Sequence, residues 1–114
     1  MTGSKLGTIR LDAIAPGGLG ETEMTVEGVA ESVIVHRDGD AVRAWANVCP
    51  HAGRRLDWAP GQFLKSRDGL LVCAVHGASF ELGAGECVAG PCRGQFLQPV
   101  KVIVRDGEVM PADD

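Results

Sequence analysis

Two short stretches, Cys49-Pro50-His51 and Cys73-Ala74-Val75-His76, constrain this chain more than any other feature of its sequence. Each stretch combines one cysteine with one histidine, separated by one residue in the first and by two residues in the second. Thiolate and imidazole groups at such spacings are typical metal ligands. We therefore predict one metal centre whose ligands are Cys49, His51, Cys73 and His76.

The spacing favours an iron–sulfur cluster over a zinc ion. Zinc pairs usually leave about two to five residues between ligands, whereas a single residue separates Cys49 from His51. Gly53 and Gly77 follow the two pairs closely, and glycine lets the backbone turn sharply and bring its N–H groups near a sulfide. We expect one [2Fe–2S] cluster with two histidines on one iron. A structural zinc site and a set of buried thiols with core histidines are the alternatives.

Length and composition predict one all-β domain. A chain of 114 residues, 45% of them hydrophobic, is large enough to bury a core without disulfides. Sixteen glycines and six prolines indicate many turns, as in a small all-β protein. We expect the β-sheet core to be drawn from aliphatic residues, namely Ile9, Leu11, Val33, Val35, Val42, Val102 and Val104.

The charge pattern bears on partners and location. The formal net charge is −4, and no basic run is longer than Arg54-Arg55, which argues against nucleic acid and favours a partner with a basic docking patch. No stretch approaches the roughly 20 apolar residues of a membrane span, and the first residues lack the apolar core of a signal peptide. We expect a soluble, cytoplasmic protein with no membrane partner.

Local patterns predict several strands and turns. Alternating or apolar runs predict strands over 8–14, 32–37, 41–48 and 70–72, with a last long strand inside 95–104. Asp38-Gly39 and Asp106-Gly107 each predict a hairpin turn. Residues 111–114 are expected to be a frayed tail.

The two ligand stretches, with 70–80 and 85–94, closely resemble the Rieske family, and within it the small soluble Rieske-type ferredoxins. The resemblance implies a single domain over 1–114, with three stacked antiparallel sheets and a small cluster-binding subdomain of two ligand loops inserted at about 46–82. It implies that Cys49 and Cys73 hold the inner iron, and that His51 and His76 hold the solvent-facing iron. Gly90-Pro91-Cys92 resembles a third loop that shields the cluster.

Two departures from the family's high-potential members matter. Arg54 and Val75 stand where those members carry two further cysteines joined in a disulfide, and Ala78 and Phe80 stand where they carry serine and tyrosine hydroxyls. Hydrogen bonds to the cluster sulfurs raise the reduction potential. We therefore predict a low potential, near −150 mV, the low end of the range of roughly −150 to +300 mV for such centres.

Three ligand-type residues lie outside the predicted set. His36 is interpreted as an ordinary strand residue. Four residues separate Cys87 from Cys92, and because a reducing cytoplasm disfavours disulfides we expect both to be small packing residues. A disulfide, a redox-sensing role and an influence on the cluster are alternatives for this pair.

The functional prediction is an electron carrier and not an enzyme. Rieske oxygenases add a mononuclear iron bound by two histidines and a carboxylate, and only His36 remains here once the cluster is ligated. The chain is predicted to pass single electrons from a flavin reductase to a terminal oxygenase or another redox enzyme. The alternatives are a small Rieske-like subunit of a larger redox enzyme, such as assimilatory nitrite reductase, and a structural or sensing metal module.

Overall fold

The structure, a computed structural model, describes residues 8–26, 28–50, 53–59, 61–73 and 77–112. These residues form ten β-strands in three antiparallel sheets and one short 3-10 helix, with no α-helix among them. The prediction of an all-β protein with three antiparallel sheets is confirmed. Within the described part of the chain, no helix has the length and apolar character needed to cross a membrane.

The strands are numbered in chain order. They are β1 (Ile9–Arg10), β2 (Leu19–Val26), β3 (Val29–Asp38), β4 (Ala41–Ala46), β5 (Leu64–Lys65), β6 (Leu71–Val72), β7 (Ser79–Phe80), β8 (Cys87–Ala89), β9 (Val102–Arg105) and β10 (Glu108–Pro111). The sheets have the strand orders β1-β10-β9, β2-β3-β4 and β5-β6-β7-β8. The 3-10 helix covers Leu11–Ala13.

The chain divides into two compact units. One contains the residues up to Ala46 and from Val100 onward, and the other contains Asn47–Pro99. The first two sheets belong to the former unit, and the β5-β6-β7-β8 sheet belongs to the latter. Most of the predicted cluster-binding segment, about 46–82, falls in the second unit, and its organisation as an insertion in a single domain stays a prediction.

Both predicted Asp-Gly hairpins are present in the first unit. Asp38 pairs with Ala41 across the first turn, and Gly39 has a φ of 65°. Arg105 pairs with Glu108 across the second, where Asp106 and Gly107 have φ values of 54° and 77°. Positive φ at a two-residue turn matches the right-handed twist of the flanking strands, which explains Gly39 in the first turn and Asp106 and Gly107 in the second.

The core of the first unit is aliphatic, as expected. Its buried members are Ile14, Met24, Val33, Val35, Ala44, Ala46, Val100 and Val109. Four other residues of the predicted core, Ile9, Leu11, Val42 and Val102, pack against it while partly exposed. The assignment of Val104 to the core is wrong, because Val104 lies on the edge strand β9 and is 39% exposed, whereas its partner Val109 lies on the central strand β10.

Three predicted boundaries are also wrong. The strand at 8–14 stops at Arg10, because the Ile14 N–H donates to the Leu11 carbonyl and the resulting 3-10 turn brings Ile14 into the core. The strand predicted inside 95–104 is β9, which is short: it begins at Val102 and ends at Arg105, one residue beyond the predicted range. Pro111 is not part of a tail, since it ends β10 opposite Val102; Asp113 and Asp114 lie outside the described residues.

Candidate metal centre

The two predicted cysteine ligands begin loops with the same backbone hydrogen bonds. In the first loop the Gly53 N–H donates to the Cys49 carbonyl at 2.8 Å, and the Cys49 N–H donates to the Arg54 carbonyl at 2.8 Å. In the second loop the corresponding bonds join Gly77 to Cys73 at 2.9 Å and Cys73 to Ala78 at 2.7 Å. Each loop is therefore closed by the residues four and five positions after its cysteine.

A glycine in the left-handed region makes each closure possible. Gly53 has a φ of 65° and Gly77 a φ of 76°, a conformation that costs other residues roughly 1 kcal/mol or more. Both glycines are exposed, whereas Cys49 and Cys73 are 0% and 1% exposed. Each loop thus begins at a buried thiol and is closed by an exposed glycine.

The predicted histidine ligands, His51 and His76, lie outside the described residues. Within the described part of the chain, no three or more His, Cys, Asp or Glu side chains are grouped closely enough to hold a metal. The structure therefore describes two of the four predicted ligands, and the complete set stays a prediction.

The described cysteines fit the predicted cluster. All four cysteines of the chain lie in the described part, and none of them is in a disulfide. Cys49 and Cys73 are buried, as the thiolates of the inner iron would be. A glycine follows each predicted ligand pair and lets the backbone turn there. The donor atoms and the local backbone therefore both suit a [2Fe–2S] group.

A buried polar clasp ties the two ends of the first ligand loop together. We use this name for Asn47, Arg55, Leu56, Asp57 and Gly61. The Asn47 side chain accepts a hydrogen bond from the Leu56 N–H at 2.7 Å and donates one to Asp57 at 3.1 Å. Asp57 also accepts two hydrogen bonds from Arg55, at 2.9 and 2.7 Å, and one from the Gly61 N–H at 3.1 Å.

The clasp holds a carboxylate that stays ionised. The Asp57 side chain is 1% exposed, and the hydrogen bonds from Arg55, opposed by burial and assisted by those from Gly61 and Asn47, lower its pKa to about 2. Sequence reasoning missed this group, because its members are up to fourteen positions apart and two of them, Leu56 and Gly61, take part only through their backbone N–H groups. The only local signal was the Arg-x-Asp spacing of Arg55 and Asp57 beside a ligand loop.

The segment at Gly90 lies against the second ligand loop. A Cβ added to Gly90 would lie 2.7 Å from the Ala78 Cα and 3.3 Å from the Gly77 carbonyl oxygen. The resemblance implied a third loop at Gly90-Pro91-Cys92, and the structure brings the start of this segment next to the backbone that closes the Cys73 loop. Its shielding of a cluster stays a prediction.

The residues predicted to set the potential are buried. Ala78 and Phe80 are both 0% exposed, and Phe80 pairs with Leu71 on the neighbouring strand. The hydroxyl between them, that of Ser79, donates to the Gly77 carbonyl at 3.1 Å.

The remaining histidine and the two remaining cysteines are not among the predicted metal ligands. His36 is a half-buried residue of β3 opposite Leu19 and Arg43, which agrees with its interpretation as a strand residue. Cys87 and Cys92 are buried, as packing residues would be, but their sulfur atoms are only 2.8 Å apart.

Comparison with known proteins agrees with the pattern of the loops. Residues 13–105 match the sequence model of the Rieske [2Fe–2S] domain. The chain is 33% identical over 69 residues to the oxidoreductase NdmD of Pseudomonas putida, a match that covers 60% of this chain and 11% of that protein. It therefore spans about a tenth of the length of that curated relative.

Two solved structures match nearly the whole chain. The ferredoxin of carbazole 1,9a-dioxygenase from Nocardioides aromaticivorans IC177 has a TM-score of 0.69 and 29% identity, covering 96% of this chain and 97% of that one. The Sphingomonas yanoikuyae B1 ferredoxin has a TM-score of 0.65 and 21% identity, covering 96% and 98%. At 21% identity, the second likeness concerns the fold alone.

Proposed function

This chain belongs to the Rieske [2Fe–2S] domain family, and from that membership we propose that it receives single electrons from a flavin reductase and delivers them to a terminal oxygenase. Membership implies one [2Fe–2S] cluster per chain, and the match over 97% of the length of a ferredoxin supports the role of an electron carrier rather than a catalyst. The observation that carries the proposal is the pair of matched loops that begin at the buried residues Cys49 and Cys73.

We assign the cluster to Cys49, His51, Cys73 and His76. When bound, the cluster supplies a one-electron redox couple. The chain's own contribution is to bury the two thiols and to fix each loop by two backbone hydrogen bonds. The clasp adds side-chain hydrogen bonds at the base of the first loop.

The partner assignment is supported by the relative of similar length. That protein is the ferredoxin of a dioxygenase, and it aligns over nearly the whole of both chains. The net charge of −4 favours a partner that offers a basic docking patch. We also propose that the protein works in the cytoplasm, where a reduced nicotinamide or flavin system can supply the electron.

The proposed potential is low, near −150 mV. It is supported by the side chains of Ala78 and Phe80, which carry no hydroxyl that could donate a hydrogen bond to a cluster sulfur. Such a potential suits electrons from a reduced flavin and does not suit the oxidation of a quinol.

Metal analysis and spectroscopy test the proposal first. We expect about two irons and two acid-labile sulfides per chain, and a reduced protein whose EPR signal has a lower average g value than that of an all-cysteine [2Fe–2S] ferredoxin. Zinc at one ion per chain without iron, after expression with ample iron, would contradict the assignment.

Electron transfer in solution tests the partners. Chemically reduced protein should pass electrons to a Rieske-type terminal oxygenase at a rate that depends on ferredoxin concentration. Purification in a tight stoichiometric complex with a larger redox enzyme, with no transfer from free solution, would instead favour the alternative of a fixed small subunit.

A further inference from the structure

Cys87 and Cys92 form a pair of thiols that are not among the proposed cluster ligands. Their side chains are buried, with residue exposures of 0% and 1%, and the Cys92 thiol donates to the Cys87 sulfur at 2.8 Å. The Cys87 thiol donates in turn to the Ala89 carbonyl at 3.2 Å. Two packing residues would be expected to contact aliphatic groups, whereas these two sulfurs contact each other.

The backbone around the pair holds both cysteines in place. The Cys87 N–H donates to the Gln95 carbonyl at 2.7 Å, and the Gly94 N–H donates to the Cys87 carbonyl at 2.9 Å. The Gln95 N–H also donates to the Cys92 carbonyl at 2.9 Å. Because a covalent S–S bond is about 2.05 Å long, the sulfurs need to approach by less than about 1 Å, a movement that side-chain rotation can supply.

Two sulfurs alone do not make a metal site, and among the residues that the structure describes no three or more His, Cys, Asp or Glu side chains are grouped closely enough to hold a metal. Burial raises the pKa of the Cys92 thiol to about 12, and the neighbouring Cys87 and Cys49 thiols act in the same direction. A protonated thiol is a slow nucleophile. The pair is therefore suited to slow covalent chemistry between its own sulfurs.

We propose that Cys87 and Cys92 are a second redox site, which forms a reversible intramolecular disulfide with a small-molecule disulfide as the oxidant. The thiolate of one cysteine attacks the oxidant, giving a mixed disulfide and releasing one small thiol. The other cysteine then attacks the protein sulfur of the mixed disulfide and releases the second small thiol. The two cysteine protons end on the two released thiols, and a reducing dithiol reverses the sequence.

The position of the pair connects it to the second ligand loop. Gly90 lies between the two cysteines in sequence and approaches the Ala78 backbone so closely that an added Cβ would be 2.7 Å from the Ala78 Cα. Ala78 accepts the hydrogen bond that closes the Cys73 loop. A disulfide would restrict the 87–92 segment, so we expect it to make the adjoining ligand loop open less often. This second part rests on the proposed cluster site.

Peptide mapping tests the disulfide without relying on the cluster. Holoprotein is incubated with oxidised glutathione, unfolded in an alkylating reagent, and digested with trypsin and a glutamate-specific protease. Peptide 87–93 contains both cysteines and no other. We expect it to be unalkylated and lighter by two hydrogen atoms after oxidation, and doubly alkylated after treatment with dithiothreitol. A doubly alkylated peptide after prolonged oxidation, or a stable glutathione adduct, would overturn the proposal.

Peptide 44–54 carries only Cys49 and is the matched control. Cys49 in this peptide should remain fully alkylated. If Cys49 were oxidised as much as Cys87 and Cys92, the oxidation would reflect loss of the cluster and not a property of the pair. Iron release to a chelator should be slower, on the order of threefold, in protein that carries the Cys87–Cys92 disulfide than in protein that carries the two thiols. In Cys92→Ser the rate of iron release should be the same before and after treatment with oxidised glutathione. A mapped disulfide without slower iron release would overturn the connection to the ligand loop.

Discussion

The two ligand loops share a backbone pattern but are held by different means. The Cys49 loop is tied at its base by side chains, through Asn47 and the ionised Asp57. The Cys73 loop lies between paired strands, since β6 precedes it and β7 follows it, and the Gly90 segment lies directly against its backbone. The first loop therefore depends on charge and hydrogen bonding, and the second depends on close packing of backbone.

This difference shows that one local geometry can be reached by two kinds of support. A glycine four residues after the cysteine closes both loops. What stabilises each closed loop comes from elsewhere in the second unit. A substitution that removes one kind of support should therefore destabilise one loop and leave the other loop intact.

The largest effect is expected from replacing the proposed cysteine ligand in either loop. Cys49→Ser and Cys73→Ser should each abolish the cluster, because a serine oxygen is a poor substitute for a buried thiolate on iron. The measurement is iron and acid-labile sulfide per chain. Cys87→Ser is the matched control and should keep both. Full cluster content in either ligand variant would show that the cysteine is not a ligand.

The next effect would affect the second loop alone. Gly90→Ala places a Cβ 2.7 Å from the Ala78 Cα at a φ of 96°, so it combines backbone strain with a steric clash and should cost about 3 kcal/mol of unfolding free energy. Denaturant unfolding provides the measurement. Gly94→Ala is the control, because Gly94 has a φ of 90° and no atom within 4 Å of an added Cβ. Equal losses in the two variants would show that the contact with Ala78 contributes nothing.

A comparable change in the first loop is Asp57→Asn. It removes a buried charge that accepts four hydrogen bonds, and we expect a loss of about 2 kcal/mol in the free energy of unfolding, since Arg55 is itself half exposed. Asp12→Asn is the control, because Arg10 and Asp12 repeat the same Arg-x-Asp spacing on the surface. The surface variant should change stability much less. A similar loss of unfolding free energy in both variants would show that the burial of Asp57 does not strengthen its interactions.

Acid should weaken the first loop through the same carboxylate. The pKa of Asp57 is lowered from 3.8 to about 2 in the folded state, so its contribution is complete above about pH 4 and is lost as the pH falls towards 2. We expect at most about 2 kcal/mol to be lost in this window. Unfolding curves of wild type and Asp57→Asn should converge there as the pH falls. Parallel curves down to pH 2 would contradict the lowered pKa.

The smallest expected effect concerns the potential and the second loop. Ala78→Ser combined with Phe80→Tyr should raise the reduction potential from its low value, because hydroxyl donors to the cluster sulfurs stabilise the reduced state. The wild-type potential should change little with pH near neutrality. Protein-film voltammetry measures both quantities, and a wild-type midpoint well above zero would contradict the low-potential assignment.

The sequence was most informative where a residue acts through its own local chemistry. The glycines that close the Cys49 and Cys73 loops and the two Asp-Gly hairpins could be predicted, because each signal lies within a few residues. The ligand role of the two cysteines stays a prediction. The clasp could not, since Asn47 and Asp57 are ten residues apart and either side chain alone suggests only a polar loop. Val104 was misplaced for a similar reason: an alternating pattern indicates a strand but does not tell an edge strand from a central one.

The hydrogen bond from the Val100 N–H to the Ala44 carbonyl, at 2.9 Å, has a consequence for how such a protein can diversify. It brings the two points where the chain leaves and re-enters the first unit side by side. A stretch with both ends held together can be lengthened, shortened or exchanged as one block, because the rest of the chain needs only a fixed gap to be bridged. Residues 47–99 are in this sense a cassette that could be inherited or engineered as one block.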